Sequence, residues 1–261
     1  MLTQIRAEKP IIHCLTNHVV SNFQANGLLS LGASPIMGEA PEEAADLAAL
    51  AGAVSLNIGT LNETTVTSML IAGKAANKKG VPVILDPVGA GATPYRLSTV
   101  KRILEEVEVS VLRCNAGELA AIMGADWQSK GVDAGAGEAD ITQLARSSAK
   151  KLSVIVAVTG KTDVVTDGDT VIENASGDPI MTSVTGMGCL LSAVVAAFSA
   201  VSPDRPLAAA AEALRFYGLA GEKAAQHVKG PGSFQTAFLD ALSSVRQSDI
   251  DELNRMEDGA L

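Results

Sequence analysis

The residues with the clearest chemical potential form one short segment, Thr185-Gly186-Met187-Gly188-Cys189, directly before an apolar run. Glycines allow the backbone to turn tightly and to bring its N–H groups close to an anion. The apolar run predicts a helix that begins at Met187, and the first N–H groups of a helix lack intrahelical partners and carry partial positive charge. Gly186, Met187, Gly188 and Cys189 are therefore a candidate anion hole. An ordinary loop ahead of a buried helix is the alternative interpretation.

Four further polar residues lie at or just after the ends of predicted strands. Asp86 and Glu118 could together hold Mg²⁺, partly through water, although each carboxylate could instead cap a loop or a helix. Arg113 and Thr159 could contact the phosphates of a nucleotide. The alternative for Arg113 is an ordinary ion pair.

Two familiar phosphate-binding motifs are incomplete. Gly160-Lys161-Thr162 has the ending of a P-loop, but the earlier glycine would have to occupy the position of Ile155. Gly89 and Gly91 would need Gly or Ala at position 94 for a dinucleotide fingerprint, and that residue is Pro94. Any phosphate site is therefore of another kind.

Short β-branched segments alternate with longer amphipathic ones along most of the chain. Segments expected to be strands include Val81–Leu85, Val154–Val158 and Ile180–Val184, and Asp163–Glu173 is typical of a hairpin. The alternation predicts an α/β fold with a central, mostly parallel sheet and helices on both faces. In such sheets ligands bind at the carboxyl ends of the strands, where the candidate residues gather.

We find no linker, internal repeat or low-complexity segment, so residues 1–261 are expected to form a single domain. Ser98–Val107 and Met187–Ala200 are expected to be helices. The polar, glycine-rich segment Asp126–Gly137 is expected to be a mobile loop. The charged end of the chain, Ser248–Leu261, is expected to be a frayed tail.

Composition excludes several classes of protein. The net charge of −9 argues against nucleic-acid binding, which needs a basic face, and the low aromatic content gives no stacking platform. The longest apolar run is shorter than the ~20 residues that a bilayer span requires, and the N-terminus lacks the features of a signal peptide. Three cysteines without a C-x-x-C pair argue against a disulfide framework and favour the cytoplasm.

Several segments, taken together, carry a resemblance to a known family. They are His13-Cys14-Leu15-Thr16-Asn17, Asn26-Gly27-Leu28-Leu29, Gly32-Ala33-Ser34-Pro35-Ile36-Met37, Leu56-Asn57-Ile58-Gly59-Thr60-Leu61, Leu85-Asp86-Pro87-Val88-Gly89-Ala90-Gly91-Ala92, Arg113-Cys114-Asn115-Ala116-Gly117-Glu118, Ala157-Val158-Thr159-Gly160, Val184-Thr185-Gly186-Met187-Gly188-Cys189 and Gly230-Pro231-Gly232-Ser233-Phe234. The chain resembles the hydroxyethylthiazole kinase family of the ribokinase-like superfamily. The resemblance implies a ribokinase-like fold and ATP-dependent phosphorylation of the hydroxyl of 4-methyl-5-(2-hydroxyethyl)thiazole, in thiamine biosynthesis or salvage. It also implies Mg²⁺ as cofactor and a homotrimer with active sites between subunits.

The same resemblance implies roles for individual residues, matched motif by motif. The substrate-binding residues would be Met37, Gly186 and Asn17, the ATP-binding residues Arg113 and Thr159, the metal-organising residues Asp86 and Glu118, and the catalytic residue Cys189. Many ribokinase-like enzymes carry Asp where this chain has Cys189, so the thiol is a weaker candidate base. Its place at a helix start is expected to lower its pKa. Two departures from the family pattern are Cys114, where Gly is expected, and Met187, where Thr is usual.

Three other functions stay open on the sequence. One is a sister enzyme of the superfamily, either a hydroxymethylpyrimidine kinase or a dehydratase of hydrated nicotinamide nucleotides. A second is a cysteine-dependent acyl hydrolase that uses Cys189 with a histidine. A third is a sensor that binds ATP without turnover.

Overall fold

The computed structural model describes residues 1–125, 136–226 and 228–258. The strands are β1 (Ile11–Leu15), β2 (Ser34–Ile36), β3 (Ala53–Asn57), β4 (Val83–Asp86), β5 (Val111–Asn115), β6 (Ile155–Thr159), β7 (Asp163–Thr166) and β8 (Val171–Asn174). The helices are α1 (Leu2–Glu8), α2 (Ser21–Leu31), α3 (Pro41–Leu50), α4 (Glu63–Lys79), α5 (Pro94–Glu106), α6 (Ala116–Met123), α7 (Ala136–Leu152), α8 (Met187–Val201), α9 (Pro206–Ala225), α10 (Pro231–Ser244) and α11 (Gln247–Asp258).

The strands form one eight-stranded sheet in the order β2-β1-β3-β4-β5-β6-β7-β8. The first six strands in this order are parallel, and β7 and β8 are added antiparallel as the predicted hairpin. In-register pairs such as Asn57 with Asp86 and Asn115 with Thr159 place the strand-end residues on a common edge. The mostly parallel sheet is confirmed, together with the edge at which ligands are expected.

Helices cover both faces of the sheet, and each face buries its own apolar cluster. On one face α1, α2, α8, α9, α10 and α11 surround the first cluster. On the other face α3, α4, α5, α6 and α7 surround the second. Helix α8 is buried along most of its length, which explains why its sequence is apolar on all sides. The residues that precede α8 are thereby held against the sheet edge.

The segment Ile180–Val184 was expected to be a strand, and this prediction is wrong. Pro179–Ser183 forms a short 3₁₀ helix, which Asp178 caps by accepting a hydrogen bond from the N–H of Ile180 at 2.9 Å. A short apolar run does not distinguish a strand from a helical turn by periodicity, whereas an Asp-Pro pair favours a helical start. The candidate anion hole therefore follows a 3₁₀ turn instead of a sheet strand.

Other boundaries also differ from expectation. Helix α5 begins at Pro94, ahead of the expected Ser98, because Thr93 caps it and Pro suits its first turn. The frayed tail expected from Ser248 onward is wrong for the described residues, since α11 runs to Asp258 and buries Ile250 completely. The mobile loop expected at Asp126–Gly137 falls outside the described residues up to position 135, after which α7 begins.

No helix in the described ranges is both long enough and apolar enough to cross a membrane. The long helix α8 is the most apolar and is covered by other parts of the protein.

Helix α11 offers a direct test of its packing. Ile250→Ala is expected to lower the free energy of unfolding by about 2–5 kcal/mol, because a fully buried side chain is truncated. Glu252→Ala, at an exposed position on the same helix, is the control and should change it by less than about 0.5 kcal/mol. Urea unfolding of both variants measures the difference. Equal stability of the two variants would mean that α11 does not pack in solution.

Candidate functional site

The amino end of α8 is an open helix terminus at the sheet edge. Gly186 precedes it with a φ of 91°, in the left-handed region that favours glycine, and no side chain caps the helix. A Cβ on Gly186 would lie 2.6 Å from Cγ1 of Val20, so the close approach also requires glycine. The N–H groups of the first turn are thereby left for a ligand. The predicted anion hole at Gly186–Cys189 lies at this terminus and stays a prediction.

Directly beneath this terminus lies a buried ion pair. Nη2 of Arg113, on β5, donates to Oδ2 of Asp86, at the end of β4, at 2.7 Å. Ser192, one turn into α8, accepts from Nε of Arg113 at 2.8 Å and donates to the same Asp86 oxygen at 2.8 Å. Nδ2 of Asn57 adds a third donor to that oxygen at 2.8 Å. We call these four residues, Asp86, Arg113, Ser192 and Asn57, the buried polar cluster.

The charge of Arg113 is stable in this interior. Burial alone would lower its pKa, but Asp86 and then Glu118 act against burial and raise the pKa above its usual value. The guanidinium is also close to the anion hole, since a Cβ on Gly188 would lie 3.1 Å from its Nη1 atom. A permanent positive charge therefore lies just behind the helix terminus.

The cluster extends to the thiol through Asn17, which follows β1. Nδ2 of Asn17 donates to Oδ1 of Asn57 at 2.9 Å and lies 3.4 Å from Sγ of Cys189. On the other side of the thiol residue, Nε2 of Gln24 donates to the carbonyl of Cys189 at 2.9 Å. The first turn of α8 is thus held by side chains from α2 and from the loop after β1.

The expectation that the helix start lowers the pKa of Cys189 is wrong. Burial raises the pKa of this thiol, and the nearby Asp86 carboxylate raises it further, while contacts with Asn57 and Asn17 act in the opposite direction. The thiol is therefore neutral at pH 7. Cys14 and Cys114 are buried, and burial raises their pKa values too, to about 12 for Cys14.

Glu118 is bound to backbone through both of its carboxylate oxygens. Oε1 accepts from the N–H of Gly89 at 2.8 Å, and Oε2 accepts from the N–H of Asn115 at 3.0 Å in a capping box. Burial raises its pKa, and the two N–H groups act against that rise. In Asp86, by contrast, Oδ1 is buried without a hydrogen-bond partner. Within the described ranges no group of three or more His, Cys, Asp or Glu residues forms a metal cage.

A cleft of about 660 Å³ opens beside the helix terminus, lined by residues of β6, the 3₁₀ turn, α8 and α9. Its lining residues include the polar Thr159 and the backbone of Gly188, together with the apolar Leu191 and Leu214. Arg113 is only 6% exposed and is not among the lining residues. Its Nη1 lies 3.4 Å from Oγ1 of Thr159, so it reaches the cleft from behind.

Met37 lies apart from this cleft, just after the edge strand β2. Its side chain is 37% exposed, and β2 pairs with β1, whose end leads to Asn17. The neighbouring carbonyl of Gly38 lies 2.7 Å from Nε2 of His13, and burial lowers the pKa of that imidazole. The structure therefore brings Asn17, Gly186 and Cys189 together, and it places Met37 just after β2, the strand that pairs with β1.

Sequence reasoning missed four residues of the site: Asn57, Ser192, Gln24 and Tyr217. Ser192 lies three residues after Cys189, so the two share one face of the helix, and a serine close to the start of an otherwise apolar helix was the available signal. The hydroxyl of Tyr217 donates to the carbonyl of Met187 at 2.7 Å, a contact between α9 and α8 that no local pattern reveals.

The buried ion pair can be tested by stability. Asp86→Asn is expected to lower the free energy of unfolding by about 3–5 kcal/mol, because it leaves the buried charge of Arg113 without its counterion. The double variant Asp86→Asn with Arg113→Met removes both charges and should regain part of that loss. Chemical denaturation measures both variants. A single variant as stable as the wild type would show that the carboxylate charge is not needed to hold Arg113.

A family model and a solved structure both relate this chain to the same family. The family model described as "Hydroxyethylthiazole kinase family" matches residues 2–248. The structure of a hydroxyethylthiazole kinase protein from Pyrococcus horikoshii OT3 is 40% identical, covers 96% of this chain and 94% of its own, and superposes with a TM-score of 0.88.

More distant structures share the fold. A ribokinase-like superfamily protein from Enterococcus faecalis V583 is 14% identical, with 89% of this chain and 86% of its own covered and a TM-score of 0.63. The ADP/ATP-dependent NAD(P)H-hydrate dehydratase of Bacillus subtilis is 16% identical, with 92% and 96% covered and a TM-score of 0.60. The fold is ribokinase-like, and the chain belongs to the hydroxyethylthiazole kinase family.

Proposed function

We propose that this protein transfers the γ-phosphoryl group of ATP to the hydroxyl of 4-methyl-5-(2-hydroxyethyl)thiazole, in thiamine biosynthesis or salvage. The observation that carries the proposal is the uncapped start of α8, which adjoins a cleft and has the charge of Arg113 behind it. Membership of the family supplies the substrate.

ATP would occupy the cleft between β6, the 3₁₀ turn, α8 and α9. Its apolar lining residues Leu191 and Leu214 suit the adenine base, and Thr159 and Gly188 would lie near the phosphates. Arg113 would attract the phosphates from behind Gly188 and through its contact with Thr159. Cys114, one of the two departures from the family pattern, is fully buried in β5 and is not among the residues that line the cleft.

The thiazole would bind on the opposite side of the helix terminus, near Asn17, Gly186 and Met37. Val20 is buried against Gly186 and gives this side an apolar wall, which suits a small neutral ring. Asn17, whose amide nitrogen reaches Cys189, would orient the substrate near the thiol. The acceptor hydroxyl would then face the phosphoryl group across the anion hole.

The residues present fit Mg²⁺. Oδ1 of Asp86 is a buried carboxylate oxygen without a partner, and Glu118 presents a second carboxylate that interacts electrostatically with Asp86. Mg²⁺ in kinases is commonly held by one or two carboxylates together with substrate phosphates, so the absence of a larger cage among the described residues is no obstacle. When bound, the ion would neutralise charge on the phosphate oxygens.

The protein's own contribution to the transfer is position and charge. Phosphoryl transfer passes through a loose transition state, so alignment and electrostatic stabilisation matter more than covalent chemistry. The N–H groups at Gly186–Cys189 would stabilise the equatorial oxygens of the moving group. The Cys189 thiolate, the minor form of this side chain at pH 7, would receive the proton of the hydroxyl late in the transfer, as the phosphoryl group arrives.

The proposal includes a homotrimeric assembly and a cytoplasmic location. A homotrimer with active sites between subunits would cover partly exposed apolar residues near the substrate side, including Val19 and Met37. A cytoplasmic location is supported by three free cysteines.

The decisive experiment is an assay of the purified protein with ATP, Mg²⁺ and the thiazole alcohol. The expected products are ADP and the thiazole phosphate in equal amounts, measured by mass spectrometry. Gly186→Ala should lower kcat by roughly 10²–10³-fold, because the added Cβ displaces the helix start.

The same assay, repeated with the other candidate substrates beside the thiazole alcohol, separates the other functions. Phosphorylation of a hydroxymethylpyrimidine in preference to the thiazole, or dehydration of a hydrated nicotinamide nucleotide, would assign a sister enzyme. A covalent adduct on Cys189 would support the acyl hydrolase. Binding of ATP without formation of any product would support the ATP sensor.

A pH profile tests the role of Cys189. Because its pKa is raised, the thiolate fraction is small at pH 7 and grows about tenfold per pH unit up to that pKa. If the thiolate takes the proton, kcat of the wild type rises through pH 9, and kcat of Cys189→Ala is roughly 10²-fold lower at its best and lacks this rise.

Cys189→Asp is the matched variant, because a carboxylate is ionised well below pH 7. It should keep activity, and the rising limb of its profile should move to more acidic pH. Identical profiles for the wild type and Cys189→Ala would show that the thiol accepts no proton.

A further inference from the structure

Arg96 links two loops that carry parts of the site. It lies in the first turn of α5, where its backbone N–H donates to the hydroxyl of Thr93 at 3.2 Å. Its Nη1 donates to the carbonyl of Ile58 at 2.9 Å and to that of Val88 at 2.7 Å, and its Nη2 donates to that of Gly59 at 2.8 Å. One guanidinium thus joins the loop after β3 to the loop after β4.

These two loops begin at members of the buried polar cluster. The loop after β3 starts at Asn57, whose Oδ1 accepts from the N–H of Gly59 at 2.9 Å. The loop after β4 starts at Asp86 and continues to Gly89, whose N–H binds Glu118. Arg96 itself is not part of the cluster, so any effect on the reaction must pass through these loops.

The loop after β3 also touches the substrate side. A Cβ on Gly59 would lie 2.7 Å from Nδ2 of Asn17, so backbone and side chain are in close contact there. The same nitrogen contacts Cys189. A shift of Gly59 would therefore move Asn17 and change the environment of the thiol.

We infer that Arg96 is a positioning residue for the phosphoryl transfer. It fixes the spacing between the loops after β3 and β4, and through them the places of Asn17, Asn57 and Glu118. A guanidinium suits this task because its planar fork presents several donors in fixed directions, which an ammonium group does not. The inference rests on the proposed function for its kinetic consequences and on the hydrogen bonds for its geometric ones.

The test compares Arg96→Met with Arg102→Met. Arg102 lies on the same helix, but its side chain is exposed and pairs with Glu106, towards the end of the helix away from the loops. Arg96→Met should lower kcat by roughly 10²-fold, the size of effect that a small misplacement causes. The KM for ATP should stay within a factor of about three, because the cleft is built from other elements. Arg102→Met should match the wild type.

Arg96→Lys is the second variant and keeps the positive charge without the fork. It should lose less activity than Arg96→Met, with a kcat between that of Arg96→Met and the wild type. A kcat within twofold of the wild type in folded Arg96→Met would overturn the inference. Loss of folding in both variants would overturn it too, since Arg96 would then serve the fold as a whole.

Alkylation of Cys189 gives a readout that does not depend on catalysis. Cys14 and Cys114 are buried, so labelling by iodoacetamide followed by mass spectrometry reports mainly on Cys189. The rate of labelling should rise in Arg96→Met and stay unchanged in Arg102→Met. An unchanged rate in Arg96→Met would contradict the link through Gly59 and Asn17. If the wild type fails to phosphorylate the thiazole, the proposed function fails, while the labelling comparison still tests Arg96.

Discussion

The buried ion pair between Arg113 and Asp86 is the constraint on which the site depends. A guanidinium that is 6% exposed needs a counterion, and the carboxylate at the neighbouring strand end supplies it at 2.7 Å. The same oxygen of Asp86 also accepts hydrogen bonds from Asn57 on β3 and from Ser192 on α8. One interaction thereby fixes three parallel strands and one helix relative to each other at the ligand-binding edge of the sheet.

Helix α8 serves the core and the site with different parts of its sequence. Its apolar length packs between the sheet and the other helices, and its first turn remains uncapped. The glycine before it has a positive φ and contacts Val20, so the helix can begin close to α2. Because the rest of the helix is buried, its terminus has little freedom to move, which suits an anion hole that must be organised before the ligand arrives.

The sequence allowed the fold and the helix terminus to be predicted because both leave local signals. Alternating apolar patterns gave the parallel sheet, and Asp167-Gly168 gave the hairpin. Ile180–Val184 was misassigned because a short apolar run has no clear period, and the tail was misassigned because the contact of Ile250 with the core is a tertiary one. The roles of Asn57 and Ser192 were missed for the same reason. Their partners are 29 and 106 residues away in the chain, and no spacing rule connects them.

A thiol at position 189 has an electrostatic advantage that offsets the small fraction of thiolate present at pH 7. The site already holds the carboxylates Asp86 and Glu118 and one buried guanidinium, Arg113, so another carboxylate would add a like charge next to them. A carboxylate at this position would also draw on the positive potential at the start of α8, which in the proposed reaction would act on the phosphoryl oxygens. A neutral thiol leaves this potential to the ligand. The raised pKa of Cys189 therefore fits a site in which stabilising the transferred group matters more than removing the proton early.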